Sequence, residues 1–371
     1  MLNRVLIFMR SQAVLCIAFA CAFVSTLASG DVAAIPDAID WRVIVLLFCL
    51  MSAVAGLQCS GLMGHVARGL LRGRHSQRTV CFVLVMLPFF ASMLVTNDVA
   101  LITFAPLASL ALEAAGWRDR LAYVIVLQAV AANLGGMVTP VGNPQNLFIF
   151  TAYGLTAADF FFALAPFGLL AFALVSLGCL RCGRTAADVP LAHVPDPVNR
   201  RRVVLHGALF ALGLLGVFRI IPHPVLFGVV LAALLVFDRG ILRRIDYGLL
   251  ATFVCFFVFS GNLAHLPAFS GFLSGCMAGH PMLTALLSSQ VISNVPAAVM
   301  LSGFTGNWHS LLIGVDLGGL GSPIASLASL IALRLYLYEP GARIGTFMRV
   351  FAVVNIAFLV PMVALYALLW V

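Results

Sequence analysis

Residues 133–147 read NLGGMVTPVGNPQNL, and residues 316–330 read DLGGLGSPIASLASL. Both stretches lie inside long apolar runs, yet both carry glycine, proline and polar side chains in the same order. Five of the fifteen aligned positions are identical, and Asn133 corresponds to Asp316. Unwound backbone survives in lipid only where protein or a wet cavity satisfies its N–H and C=O groups. The two stretches therefore predict two broken transmembrane helices.

A second matching pair of polar breaks lies upstream of these stretches. Residues 96–98 read TND, and they correspond to SNV at residues 293–295. The offset between the halves is 197 residues at these breaks and 183 residues at the longer stretches. Two matches in the same order indicate an internal repeat. Each repeat is predicted to contain a helical hairpin with a polar tip, followed by a broken helix.

The composition places the chain among membrane proteins. Of its 371 residues, 63% are hydrophobic and 9% are charged, and the mean hydropathy is +1.10. Soluble domains are about half apolar and about a quarter charged, and a membrane span needs about 20 apolar residues. The sequence therefore predicts an all-α polytopic membrane protein. The predicted membrane elements are residues 12–29, 42–58, 79–95, 98–116, 121–150, 157–182, 203–221, 224–237, 247–264, 281–305, 308–334 and 347–371, with shorter interfacial segments at 61–73 and 267–279.

One polar linker divides the chain into two membrane repeats. Residues 1–182 form the first repeat, which begins with a signal-anchor helix that follows Arg4 and Arg10. Residues 183–202 form a cytoplasmic linker, and residues 203–371 form the second repeat. Both repeats are predicted to belong to one integral transport unit.

The basic residues predict the orientation of the chain in the membrane. All 21 are arginine, and they cluster in short loops between apolar spans. Because positively charged loops stay in the cytoplasm, the N-terminus is predicted to be cytoplasmic, with only Arg42 and Arg219 outside. The two hairpins then open from opposite sides, which makes the repeats inverted. The charge of +8 thus reports orientation in a bacterial inner membrane and not a nucleic-acid partner.

Inverted repeats with hairpins and broken helices are typical of secondary transporters. Half-helix N-termini offer positive dipole ends to an anion, and unwound carbonyls coordinate Na⁺ or relay protons. Asp98 and Asp316 are the carboxylates predicted to lie in the membrane, where a charge is costly and indicates a cation or proton site. The alternative for Asp98 is a helix cap at a hydrated hairpin tip.

The other candidate binding residues lie at the tips and at the breaks. Those at the tips are Thr96, Asn97, Ser293 and Asn294. Those at the breaks offer neutral hydrogen-bonding groups that suit an oxyanion, and they are Asn143, Gln145, Asn146, Ser322 and Ser326. Serine also occurs at ordinary interfaces between membrane helices, so a packing role stays open for the serines. No metal is expected beyond Na⁺, and no cofactor.

Four motifs in order resemble a known group of transporters. They are TNDVALITFAPL, LGGMVTPVGNPQN, SQVISNVPAAVML and LGGLGSPIASLASL. They resemble the citrate-transporter-like branch of the ion transporter superfamily, which includes arsenite pumps, sodium/proton antiporters and divalent anion/sodium symporters. The resemblance implies a scaffold and a transport domain, a homodimer, and an elevator-like movement of the substrate.

The resemblance also bears on individual residues. In the dicarboxylate/sodium symporters of this group, both tips carry Ser-Asn-Thr, whereas this chain has Asp98 at the first tip and Val295 at the second. The carboxylate of Asp98 makes the first tip more similar to the arsenite and sodium/proton branches, and this resemblance implies proton coupling. Gly142 and Ala325 match the region whose backbone lines the cation sites of such symporters.

These features predict a secondary active transporter of a small anion or oxyanion, either an organic carboxylate or an arsenite-like species, coupled to H⁺ or Na⁺. A Na⁺/H⁺ antiporter of the same fold is the alternative. A passive channel is the alternative from another functional class, although inverted repeats favour alternating access. An intramembrane aspartyl protease requires a Gly-x-Gly-Asp motif that the sequence lacks, so an enzyme is not expected. The expected partners are the small solute and the lipid bilayer.

Overall fold

The computed structural model describes residues 13–30, 35–71, 73–189, 198–264 and 267–370. Within these residues the chain forms eighteen α-helices and one short two-stranded ribbon, so the helical fold class is confirmed. The helices are α1 (Ala13–Ser29), α2 (Ile35–Ala38), α3 (Trp41–Gln58), α4 (Leu62–Leu71), α5 (Gln77–Ala91), α6 (Asn97–Ala114), α7 (Leu121–Gly136), α8 (Pro144–Ala152), α9 (Ala157–Cys179), α10 (Arg200–Val217), α11 (His223–Phe237), α12 (Tyr247–Ala264), α13 (Pro267–Gly279), α14 (Pro281–Ile292), α15 (Asn294–Ser302), α16 (Trp308–Gly318), α17 (Leu327–Leu337) and α18 (Ile344–Trp370). The strands are β1 (Gly73–Ser76) and β2 (Ala186–Val189).

The helices have the length and apolarity of a multi-pass membrane protein. Among the described residues, four helices are long and apolar enough to cross a membrane, namely α3, α6, α9 and α18. Their outer faces carry large apolar side chains such as Phe162 and Leu368, each 81% exposed. Lipid covers such faces, because the bilayer interior is as apolar as these side chains.

Both predicted broken helices are interrupted. The predicted element 121–150 consists of α7 and α8, and the predicted element 308–334 consists of α16 and α17. Pro144 opens α8, because the fixed φ of proline suits a first helical turn and its missing N–H costs nothing there. The second broken helix ends later than the predicted residue 334, because α17 continues to Leu337.

Each half also contains the predicted hairpin. In the first half, α5 and α6 are joined by residues 92–96. In the second half, α14 and α15 are joined by the single residue Ser293. The second hairpin is the shorter one, because α15 ends at Ser302 after nine residues.

The first helix of each hairpin packs closely on the broken helix that follows it. A Cβ atom on Gly135 would lie 2.0 Å from the carbonyl oxygen of Phe89 and 2.7 Å from the hydroxyl of Ser92. In the second half, a Cβ atom on Gly318 would lie 2.5 Å from the Cβ atom of Ser289. The two glycines and the two serines follow the sequence offsets of the repeat. The same close backbone packing therefore occurs in both halves.

Loop contacts place the open end of the first hairpin, where α5 begins and α6 ends, among the arginine-rich loops. Strands β1 and β2 pair antiparallel, so the loop before α5 meets the segment after α9. The guanidinium of Arg78 donates to the carbonyl of Leu180 at 2.8 Å. That of Arg118 donates to the carbonyl of Pro340, also at 2.8 Å. These loops therefore lie together at the end where α7 begins.

The open end of the second hairpin, where α14 begins and α15 ends, lies at the other end of the first broken helix. The hydroxyl of Tyr153, directly after α8, donates to the carbonyls of Ser302 and Thr305 at 2.9 and 2.8 Å. Opposite openings of the two hairpins are what inverted repeats require. The inverted symmetry itself, and the cytoplasmic N-terminus, stay predictions.

The predicted polar linker 183–202 contains ordered structure in its described residues, 183–189 and 198–202. It contributes β2, and the backbone N–H of Gly183 donates to the side chain of Gln77. Helix α10 begins at Arg200 and not at residue 203, because the side chain of Asn199 accepts from the N–H of Arg202 at 3.1 Å. Three prolines of the predicted linker, Pro190, Pro195 and Pro197, and the start of the predicted signal anchor with Arg4 and Arg10 lie outside the described residues.

Candidate functional site

A cavity of about 210 Å³ lies between the two hairpin tips and the two helix breaks, and we name it the central cavity. Both tips line it, with Asn97 and Asp98 from the first and Ser293 and Asn294 from the second. Gln145, in the first turn of α8, also lines it. The structure thus brings five of the sequence-predicted residues to one cavity.

Four of the described helices begin at the central cavity. Helices α6, α8, α15 and α17 each contribute their first residue to its lining. Their N-cap side chains make no capping hydrogen bond within the described part of the chain, although Asn97 and Asn294 each accept from the next backbone N–H. The positive dipole ends of these four helices therefore lie at the cavity, although in α15 the N–H of Asn294 already donates to the carbonyl of Ala325 and Pro296 has no N–H.

Asp98 lies between the central cavity and a smaller neighbour. The smaller cavity measures about 80 Å³, and Thr96, Asp98 and Asn143 line it. Asp98 is partly exposed, so its carboxyl meets both spaces. Asp246, at the start of α12, lines both cavities as well, and the two carboxylates repel each other.

Sequence reasoning missed two charged residues of the central cavity, Asp246 and Arg334. Both lie close to arginine-rich loops, and the arginines were interpreted only as signals of orientation. Asp246 accepts from the N–H of Leu249 at 3.0 Å, so it also caps α12. Nothing in the local sequence distinguishes these two residues from other loop charges.

Asn133 joins the two halves behind the first tip. Its side-chain oxygen accepts from Asn97 at 2.6 Å and from the hydroxyl of Ser326 at 2.8 Å. Its side-chain nitrogen donates to the carbonyl of Gly319 at 3.3 Å. Asn133 was absent from the predicted site, although its correspondence with Asp316 could have indicated it.

Asp316 lies behind the lining of the central cavity, in contact with the lining residue Gln145. It is 3% exposed, and its Oδ1 accepts from the amide of Gln145 at 2.9 Å. Asn143 and Asn146 also lie beside the carboxyl. Its Oδ2 has no hydrogen-bond partner among the described residues. Asp316 therefore meets the cavity only through Gln145.

The second tip has an unusual backbone conformation. Ser293 has φ 74° and ψ 156°, a region that only glycine adopts without strain. Its hydroxyl donates to the carbonyl of Ala325 at 3.2 Å, and the N–H of Asn294 donates to the same carbonyl at 3.0 Å. Contacts with the second break thus hold this tip in place.

The remaining predicted residues lie outside the central cavity and support its walls. Ser322 binds Gln290 on α14, with its N–H donating at 2.8 Å and its hydroxyl at 3.1 Å. Gly142 allows close backbone approach, since a Cβ atom there would lie 2.3 Å from the carbonyl oxygen of Gly136. Asn146 donates to three backbone carbonyls of the first break. The sequence-predicted site residues thus divide into two layers, one that lines the central cavity and one that lies behind it.

Comparison with known proteins identifies the family. The family model described as citrate transporter matches residues 4–307. The chain belongs to the citrate transporter family. The matched part contains both hairpins and the first broken helix, and it ends just before α16. Most of the lining of the central cavity therefore lies in the part of the chain that the family model matches, and only the residues of α17 lie beyond it.

Similarity to individual proteins supports the same assignment. An uncharacterized transporter of Methanocaldococcus jannaschii is 31% identical over 335 residues, which cover 90% of this chain and 91% of the relative. The inner membrane protein YbiR of Escherichia coli is 33% identical over 312 residues, which cover 81% of each chain. A 46 kDa membrane protein of Mycobacterium leprae is 26% identical and covers 80% of this chain. This member of the citrate transporter family is therefore a membrane transporter.

Proposed function

We propose that this protein is a secondary active carrier of a small anion or oxyanion, driven by H⁺ or Na⁺. The observation that carries the proposal is the meeting of four helix N-termini at one cavity that also contains Asp98. The expected substrates are organic carboxylates, of which citrate gives the family its name, or an arsenite-like species.

Helix N-termini favour a negatively charged solute. Each presents the positive end of a dipole to the cavity, and such an end favours an anion. The amides of Asn97, Asn294 and Gln145 add neutral donors without adding charge. A small oxyanion in the central cavity would therefore be held by hydrogen bonds from both halves of the protein.

Asp98 provides a physical reason for ion coupling. An ionised carboxylate beside a bound anion is repulsive, and the repulsion is strong where water is scarce. A proton or Na⁺ at Asp98 removes this repulsion, so anion and cation each favour the binding of the other. This reciprocity couples the binding of the two solutes, and transport is coupled when the carrier reorients only with both bound or with neither bound.

A Na⁺/H⁺ antiporter of the same fold is the second candidate. The observation that favours it is the pair of carboxylates, Asp98 and Asp246, in the lining of the central cavity. In that case the cavity exchanges cations only and no anion is carried. For both candidates we assign transport and no enzymatic reaction, in a bacterial inner membrane, with a cytoplasmic N-terminus and a homodimeric assembly.

The test is uptake into proteoliposomes under imposed gradients of protons or sodium. Citrate, succinate, arsenite and ²²Na⁺ are offered to the wild type and to the Asp98→Asn variant. We expect gradient-driven accumulation of an anion in the wild type and its loss in Asp98→Asn, while the binding of the anion is kept. The matched control is Asp119→Asn, which removes the same charge from an exposed loop residue that pairs with Arg120.

Other outcomes separate the alternatives. Dissipation of every gradient, with no accumulation, indicates a channel and contradicts the proposal. Movement of ²²Na⁺ against protons without any anion supports the antiporter. Accumulation by Asp98→Asn at the wild-type level would refute the role of Asp98.

A further inference from the structure

Arg334 lies on the same wall of the central cavity as one of the helix N-termini. Leu327, Leu330, Ile331 and Arg334 all line the cavity, and they have the spacing of a single helical face. Seven residues separate Leu327 from Arg334, which corresponds to about 10 Å along the helix axis. Arg334 therefore faces the same space as the N-terminus of α17.

Arg334 is the only basic residue among the described residues that line this cavity. Some arginines of this protein have acidic partners, such as Arg202, which lies 2.9 Å from the carboxylate of Asp238. The side chain of Arg334 has no ion-pair or hydrogen-bond partner within the described part of the chain. Its guanidinium is therefore available to a ligand, and its planar fork matches a carboxylate in two parallel hydrogen bonds.

The cavity thus has two attractive ends for negative charge. The helix N-termini and the tip amides form one end, and Arg334 forms the other. Asp98 and Asp246 are the acidic residues of the lining, and they repel an anion that has no cationic partner. A substrate with negative groups at both ends would satisfy both attractive sites at once.

We propose that Arg334 binds the end of the substrate that is distant from the hairpin tips, and thereby selects anions that carry a second carboxylate. The inference rests on the proposed function, because it assumes that the central cavity carries an anion. Arg334 is in this sense a specificity-determining residue of the transport site.

A simpler role for Arg334 is to complement the helix dipole, since it lies in the last turn of α17. A basic residue near a loop also supports the orientation of the chain in the membrane. Both roles require only a positive charge, so lysine would fulfil them. Neither role depends on which anion is transported, and this difference makes the two explanations separable.

The experiment compares Arg334→Gln and Arg334→Lys with the wild type in proteoliposomes. Mono-, di- and tricarboxylates (acetate, succinate and citrate) are offered as substrates and as competitors. The matched control is Arg343→Gln, which removes the same charge from an exposed residue outside the cavity lining. Size-exclusion chromatography verifies that each variant is folded.

For Arg334→Gln we expect the KM for succinate and citrate to rise at least about tenfold, as one charge-assisted contact is lost. The maximal rate and the inhibition by acetate should stay at the wild-type level. Arg334→Lys should be intermediate, because it retains the charge and loses the planar fork. If Arg334→Gln fails to fold, the KM of Arg334→Lys for succinate and citrate tests the proposal instead.

An unchanged KM in Arg334→Gln, or an equal change for all carboxylates, would overturn this proposal. Full wild-type behaviour of Arg334→Lys would assign Arg334 to the simpler role. Transport of arsenite alone by the wild type would also overturn it, while the proposed function would stand. If the wild type accumulates no anion at all, the proposed function itself fails.

Discussion

The two hairpin tips meet the same cavity with different backbones and different chemistry. The first tip comprises residues 92–98, and Thr96 there has an ordinary φ of −65°. The second tip turns through Ser293 alone, at φ 74°. Both tips place an asparagine at the cavity, but only the first adds a carboxylate. The repeat thus retains the amides at both tips and confines the titratable charge to one.

The two breaks show a similar division of roles. Ser326, after the second break, donates to Asn133, before the first. Gln145, after the first break, donates to Asp316, before the second. Each acceptor is therefore served by a donor of the other half, yet one acceptor is a neutral amide and the other a carboxylic acid. The halves resemble each other in geometry and differ in charge.

The largest expected effect separates Gly142 from its counterpart Ala325. A Cβ atom at residue 142 would lie 2.3 Å from the carbonyl oxygen of Gly136 and 2.5 Å from that of Ser92. Because both neighbours are backbone atoms, Gly142→Ala should destabilise the protein by about 3 kcal/mol. Ala325→Gly should cost only about 1 kcal/mol. Thermal unfolding in detergent measures both, and equal midpoints would contradict the difference.

A smaller effect should separate Asn97 from Asn294. Asn97 binds both the N–H of Asp98 and the side chain of Asn133, whereas the side-chain oxygen of Asn294 accepts from Ser293 and Val295 in its own turn. Asn97→Ala should therefore destabilise the protein by about 2 kcal/mol and Asn294→Ala by about 1 kcal/mol. The same unfolding assay compares them. A larger loss in Asn294→Ala would show that the second tip, and not the first, connects the halves.

The smallest effect concerns the strained residue of the second tip. Ser293→Gly relieves a conformation that costs about 1–3 kcal/mol and removes one hydrogen bond worth about 1 kcal/mol. The unfolding midpoint should therefore stay the same or rise slightly. Thr96→Gly is the matched variant of the first tip, and it should lower the midpoint because no strain is relieved there. A lower midpoint for Ser293→Gly would refute the strain argument.

The local sequence predicted the breaks and the tips, because glycine, proline and polar residues within apolar runs leave few structural alternatives. It did not predict that Asp316 lies behind Gln145, since the direction of a side chain depends on the helical phase on each side of a break. It also missed Asp246 and Arg334. Their place at the cavity depends on how α12 and α17 pack against distant elements, and no local pattern encodes that packing.

The hydrogen bond from Asn133 to the carbonyl of Gly319 has a consequence for biosynthesis. The two residues are 186 positions apart, so at ribosomal speeds the second is made roughly 10–40 s after the first. During that interval the side chain of Asn133 has Asn97 as a partner but lacks the carbonyl of Gly319 and the hydroxyl of Ser326. Unpaired polar groups are costly in the hydrocarbon region. The first half therefore cannot satisfy all of its buried polar groups until translation supplies residues of the second half.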